Sequence, residues 1–182
     1  MTTVEDLRFT IDEVVDRMPE RCRWDIRKGE LRIMSPSNAR HGQITVVISA
    51  MLHEYVNKHD LGIVLSADAG FILERFPDTL LAPDVAFIGK DRAHLVEEAF
   101  FDGPPDLAVE VISPSESKPK VIEKAHDWLD GGTKLVCLCW PRTQTVTVFA
   151  PGHDERTLNA DATLDGGDVL PGFSCPVGKL FA

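Results

Sequence analysis

The sequence predicts a mixed α/β (α+β) fold, with a mixed central β-sheet flanked by helices. Three observations carry that reading. Residues 107–112 and 134–140 are nearly continuous apolar runs joined by a helical segment at 119–130, and such a connection favours a parallel pair with a right-handed crossover. Residues 24–27 and 31–34 alternate around Lys28-Gly29-Glu30, which reads as an antiparallel hairpin. Between these, Ile44, Val47, Ile48, Met51, Leu52 and Tyr55 recur at spacings of three and four within residues 39–58. That spacing describes an amphipathic helix of about four to five turns.

The remaining elements follow in order. Thr10-Ile11-Asp12-Glu13 fits a capping box, so a short N-terminal helix runs to about Met18 and stops at Pro19. Ser35-Pro36-Ser37-Asn38 is a turn that opens the long helix, and Gly62 follows its end. Residues 62–67 and 69–74 are two candidate strands with Asp68 near the bend, and 85–88 is a third. Residues 91–100 read as a short helix or an ordered loop. Ser113-Pro114-Ser115 ends the central strand, Pro119 suits a first helical turn, and Gly131-Gly132 closes that helix. Residues 144–150 alternate and suggest an edge strand, followed by a tail of Gly and Asp turns ending in Val169-Leu170-Pro171-Gly172-Phe173.

Bulk properties narrow the function classes. A length of 182 residues predicts one domain, or one domain with a small appendage, able to bury a core without disulfides. The longest apolar runs fall well short of the ~20 residues that span a membrane. Met1 to Leu7 lacks the basic-then-apolar order of a signal peptide. Cys22, Cys137, Cys139 and Cys175 include no Cys-x-x-Cys pair and read as free thiols. A cytoplasmic protein with no membrane partner is the expectation. With 19 basic against 29 acidic residues, the net charge of −10 excludes a general DNA-coating role, which needs Lys and Arg on phosphates. A nuclease stays open, because a metal ion supplies positive charge locally.

Two carboxylates draw the chemistry. Asp84 and Glu110 each sit in an apolar run that reads as a strand, residues 80–88 and 105–113. An acid among buried apolar residues is costly unless compensated. A hard cation such as Mg²⁺ compensates it through carboxylate oxygens. Two acids on neighbouring strands with a nearby Lys equip a metal-dependent phosphodiesterase. Residue types alone leave a second reading open, in which Pro83-Asp84 is a turn and Glu110 pairs with a surface Lys. His53, His59, His94, His126 and His153 show no paired ligand spacing.

The order of elements and several motifs resemble the PD-(D/E)XK nuclease superfamily, and more closely its Uma-type restriction endonuclease family. The matching pieces are Gly29-Glu30-Leu31 with Met34-Ser35-Pro36, His41 at the head of the long helix, and Ala82-Pro83-Asp84-Val85. They continue through 105–115 (Pro-Asp-Leu-Ala-Val-Glu-Val-Ile-Ser-Pro-Ser), Lys124, and Leu170-Pro171-Gly172-Phe173. The resemblance implies a restriction-endonuclease-like core at 39–150. An N-terminal helix-and-hairpin extension occupies 1–38 and a tail packed on the core 151–182.

It also implies that Asp84 and Glu110 bind Mg²⁺, for which Mn²⁺ can substitute, with the backbone carbonyl of Val111. The superfamily's Lys two residues after the Glu is Ile112 here, and the family pattern places the cation at Lys124, with Trp128 one turn on along the same face. Lys120 stands where the family often has an acid, and Trp140-Pro141 replaces its usual Val-Asp-Pro. His41 reads as a substrate or phosphate contact, with a helix-terminal His bonded to backbone as the alternative. Glu30 is an extra acid or a turn residue, Asp106 caps or turns the chain, and Ser113 and Ser115 shape a turn. The expected function is metal-dependent hydrolysis of DNA by a homodimer. A catalytically degenerate nuclease-fold protein acting through binding or assembly is the alternative, and a hydrolase of small phosphate esters is a third class.

Overall fold

The computed structural model describes residues 8–19 and 22–182. Residues 1–7, which the signal-peptide reading concerns, lie outside them. Helix α1 (Ile11–Arg17) carries the expected capping box: the Thr10 hydroxyl accepts from the Glu13 N–H, and the Glu13 carboxylate accepts from the Thr10 N–H. Strands β1 (Trp24–Arg27) and β2 (Glu30–Ile33) form the hairpin. Lys28 and Gly29 both have positive φ, 52° and 84°, as a two-residue turn of right-handed twist requires. Helix α2 (Ala39–His59) starts at Asn38, whose side chain accepts from the His41 N–H.

Strands β3 (Gly62–Ser66), β4 (Phe71–Glu74), β5 (Thr79–Leu81), β6 (Val85–Gly89), β7 (Phe101–Asp102) and β8 (Leu107–Val111) follow. Residues 91–100 hold a single short 3₁₀ turn, Ala93–Leu95, in an ordered loop. Helix α3 (Lys118–Asp130) then leads to β9 (Leu135–Trp140), β10 (Thr145–Phe149), β11 (Arg156–Leu158), β12 (Thr163–Gly166), β13 (Leu170–Pro176) and α4 (Val177–Leu180).

The architecture is mixed α/β, as the sequence predicts, but three expectations need correction. The strands form more than one sheet. Five are ordered β2-β1-β5-β4-β7, six are ordered β11-β10-β9-β8-β6-β3, and β12 and β13 make a ribbon. The run 80–88 is two strands in different sheets. Pro83, which has no N–H to give a ladder, and Asp84 lie at the crossing between them. Residues 144–150 are not an edge: β11 pairs with β10 on the side away from β9. The exposed edge on which the homodimer expectation rested is therefore covered.

Strand β8 lies in the interior of the six-stranded sheet, parallel to β9 and antiparallel to β6. Its alternation assigns its faces. Leu107, Val109 and Val111 join a core with Ile44, Ile48, Leu52 and Val56 of α2 and with Leu170, Phe173 and Leu180 of the tail. Ala108 and the following Ile112 join a second core with Val121, Ala125 and Trp128 of α3 and with Phe71, Leu81 and Phe101 of the five-stranded sheet. Glu110 belongs to this second face. Helix α1 covers Ile26 and Leu80 on the other side of the five-stranded sheet. Helix α3 thus packs between the two sheets.

The Leu170-Pro171-Gly172-Phe173 motif locks the tail to α2. The Tyr55 hydroxyl donates to the Pro171 carbonyl at 2.8 Å. A Cβ on Gly172, whose φ is +83°, would lie 2.7 Å from that hydroxyl.

Candidate active site

Asp84 stands at the entry to β6, and Glu110 lies on β8, its antiparallel neighbour, where Val85 pairs with Val109. Both carboxylates are buried, each 8% exposed. The metal-site reading requires them to be on adjacent strands and near enough to sense each other, and the Asp84 charge raises the Glu110 pKa.

Each acid is oriented through one oxygen. Asp84 Oδ2 accepts from the Val111 N–H at 2.7 Å and lies 3.1 Å from His41 Nε2. Glu110 Oε1 accepts from the Trp128 indole N–H at 2.9 Å and pairs with Lys124 Nζ at 2.7 Å. Among the described residues, Asp84 Oδ1 and Glu110 Oε2 accept no hydrogen bond.

The migrated lysine has a packing explanation. Ile112 is on the same strand face as Glu110, but it is buried against Val121, Ala125 and Trp128 of α3. The helix covers the place a strand lysine would need and supplies the cation itself. Lys124 and Trp128, one turn apart, both reach Glu110 Oε1. The acids beside Lys124 on its own helix are engaged elsewhere: Asp127 pairs with Arg27 and Lys28, and Glu123 lies near Arg27.

The charges are finely set. Burial pushes the Glu110 carboxyl up to about 7, more than the Lys124 ammonium and the Trp128 N–H offset. Burial opposes the Lys124 charge, but Glu110, Asp25 and Asp84 outweigh it and raise its pKa. The hydrogen bond to Asp84 raises His41, with the Asp84 and Glu116 charges adding to it against burial.

No three His, Cys, Asp or Glu side chains among the described residues converge on one point suited to a cation. Two carboxylates with one free oxygen each, in a site where Glu110 is short of positive charge, nevertheless fit a hard divalent ion that keeps several waters. Of Val111, the N–H is committed to Asp84.

The other sequence candidates fall outside the site or beside it. His41 is held by Asp84 rather than by backbone alone. Glu30 is exposed near Arg32. Asp106 binds Arg92, Lys134 and the Gly89 N–H. The Ser113 N–H bonds the Glu116 carboxylate, and its hydroxyl meets that of Ser115 within the turn. Lys118 and Lys120 are exposed.

The sequence reading missed Asp25. It lies on β1, 4% exposed, on the strand face from which Arg27 reaches Asp127 of α3. The signal was available: Asp25 and Arg27 flank Ile26 in a strand of period two, so one face of β1 had to bury charge.

A family model described as "Putative restriction endonuclease", the Uma2 family, matches residues 11–178. The chain belongs to this family. A solved structure from Anabaena variabilis, described as a putative nuclease, shares the fold with a TM-score of 0.82 at 20% identity. The alignment covers 95% of this chain and 97% of that one. No curated protein matches the sequence. In this Uma2 chain, as the sequence motifs imply, the fold is that of a nuclease family. No described helix is long and apolar enough to cross a membrane.

Proposed function

We propose that this Uma2 protein is a divalent-cation-dependent endonuclease that hydrolyses phosphodiester bonds of DNA. One observation carries the reading. Asp84, at the entry to β6, and Glu110, on its partner β8, are each oriented through one oxygen and keep the other free among the described residues, with the Lys124 ammonium on Glu110. A structural ion pair explains the lysine but leaves Asp84 buried beside Glu110 without an equivalent cation, since His41 is charged only when protonated.

Mg²⁺, or Mn²⁺ in its place, would be held by the free oxygens of Asp84 and Glu110, the Val111 carbonyl and waters. When bound it supplies Lewis-acid polarisation of the phosphate and an acidified water. The protein's own groups do the rest. The Val111 N–H and His41 fix the Asp84 carboxylate, and the Trp128 indole fixes that of Glu110. Lys124 places a positive charge where the phosphate gains negative charge in the transition state. His41, at the N-terminus of α2, faces the Asp84 carboxylate and also suits a substrate phosphate.

The test is cleavage of single-stranded and duplex DNA, with RNA alongside, in Mg²⁺ or Mn²⁺ at low ionic strength. A chain of net charge −10 offsets few phosphates, so cleavage should be strongest at low salt. EDTA should stop it, and Asp84→Asn and Glu110→Gln should each abolish it. Absence of cleavage together with absence of cation binding would leave the binding-or-assembly reading standing instead.

A further inference from the structure

A cleft of about 350 Å³ lies on the face of the five-stranded sheet that α1 covers, where Trp24 and Leu80 line it. Its lining runs into the candidate active site. Ala82 belongs to it and stands two residues before Asp84. Two extended residues span at most about 7 Å, so the cleft begins within that distance of the Asp84 backbone.

Two aromatic rings wall the cleft. Trp24 and Phe100 meet edge to face, with centroids 5.8 Å apart and planes at 86°. Phe100 is seated against backbone: a Cβ on Gly70 would lie 2.7 Å from its ring. The ring is nonetheless 36% exposed, and Trp24 is half-buried. Met34, of the Met34-Ser35-Pro36 motif, lines the same space. Arg23 and Asp68 form its polar side. Arg23 Nε lies 2.5 Å from Asp68 Oδ1, yet that nitrogen is inaccessible and makes no hydrogen bond among the described residues. Charge rather than a directed bond holds the guanidinium there, and a guanidinium stacks on planar rings and offers donors to their edges.

We infer that this cleft takes one unstacked nucleobase of the substrate strand, next to the phosphate that is cut. The inference rests on the endonuclease reading above. Size and charge choose the occupant. One helical turn with its side chains fills roughly 500 Å³, more than this cleft holds, whereas a single planar ring system fits. A chain of net charge −10 gains little from contacts to phosphates. Stacking on aromatic faces binds a base without needing net positive charge. A span of about 7 Å is the rise of roughly two nucleotides along one strand, so the held base and the cut phosphate belong to neighbouring nucleotides. The substrate is then single-stranded, or has one base turned out of its duplex.

Single-turnover cleavage of an oligodeoxynucleotide in Mn²⁺ at low ionic strength tests this, with one abasic residue moved along the strand. One abasic position, at a fixed offset from the cut, should lower the rate at subsaturating protein by at least about fivefold, the lower end of base–aromatic stacking. Phe100→Leu and Trp24→Leu should each cut the intact strand more slowly, and in them the same abasic residue should change the rate by less than about twofold. Trp24→Phe, which keeps a ring, should retain the abasic effect. Circular dichroism confirms folding, and Phe100, on a loop, keeps the test open if Trp24→Leu unfolds. The fully paired duplex should be cut at least about tenfold more slowly than the single strand, because its base must first be unstacked. Equal cutting of duplex and single strand, or an abasic effect of the same size in wild type and Phe100→Leu, would overturn the inference. So would a wild-type dimer that Phe100→Leu dissociates, since the cleft would then be a contact between copies. Wild-type protein that cuts no nucleic acid would overturn the endonuclease reading and this inference together, whereas cleavage indifferent to every abasic position overturns this inference alone.

Discussion

Lys124 Nζ lies 2.7 Å from Glu110 Oε1, across the packing of α3 on β8. The pair joins a helix that sits between two sheets to a strand inside one of them, so the position of α3 sets the geometry of the site. Arg27 of β1 fixes that helix from the other sheet through Asp127.

Replacing Lys124 with Ala should lower cleavage by at least about a hundredfold, the scale of losing one charge donor aimed at a transition state. The helix should persist, since Ala is the best helix former. Single-turnover cleavage with circular dichroism checks both statements. Unchanged cleavage would move the role to Lys118 or Lys120, which are exposed.

Trp128→Phe removes the indole N–H that holds Glu110 Oε1 and keeps an aromatic ring in the core. A hydrogen bond to a charged group contributes about 2 kcal/mol. Urea unfolding should show a loss of roughly that size, plus a smaller cost for the reduced ring volume.

Asp106 predicts a pH-dependent stability. Burial alone would raise its pKa, but Lys134, the Gly89 N–H and Arg92 together hold its carboxyl below the usual range. A depressed folded pKa contributes stability above the unfolded value, near pH ~3.9, and that stability is lost as the pH falls through the folded value. Asp106→Asn should therefore cost roughly 2 kcal/mol at neutral pH. The gap to wild type should close as the pH drops below about 4. A gap that stays constant down to acid pH would place the effect in packing instead.

Thiol titration tests the core. Burial raises Cys137 to about 12 and raises Cys139 and Cys175, whereas Cys22 is partly exposed. The thiolate is the reactive species. One thiol should react quickly in the native protein and four after denaturation.

Much of this structure was legible in the sequence, for physical reasons specific to each element. The capping box at Thr10 and Glu13, the period of α2 and the apolar run of β8 are local signals, and each formed as read. The pairing of β6 with β8, and the sharing of a helix face by Lys124 and Trp128, followed from topology and helical spacing. Strand β11 left little trace, because Arg156-Thr157-Leu158 has one apolar residue and its pairing with β10 rests on backbone bonds. The break at Pro83-Asp84 depends on which sheet each half joins, a long-range matter that a single apolar run does not encode. Asp25 was missed because its significance lies in α3, about a hundred residues away in the chain, and not in its own strand.

The central claim is that Asp84 and Glu110 together hold a divalent cation. Crystals grown without metal and soaked in Mn²⁺ test it most directly through anomalous difference density. The account predicts one strong peak roughly 2.0–2.6 Å from a carboxylate oxygen of both Asp84 and Glu110. Density absent from that position at saturating Mn²⁺ would contradict it.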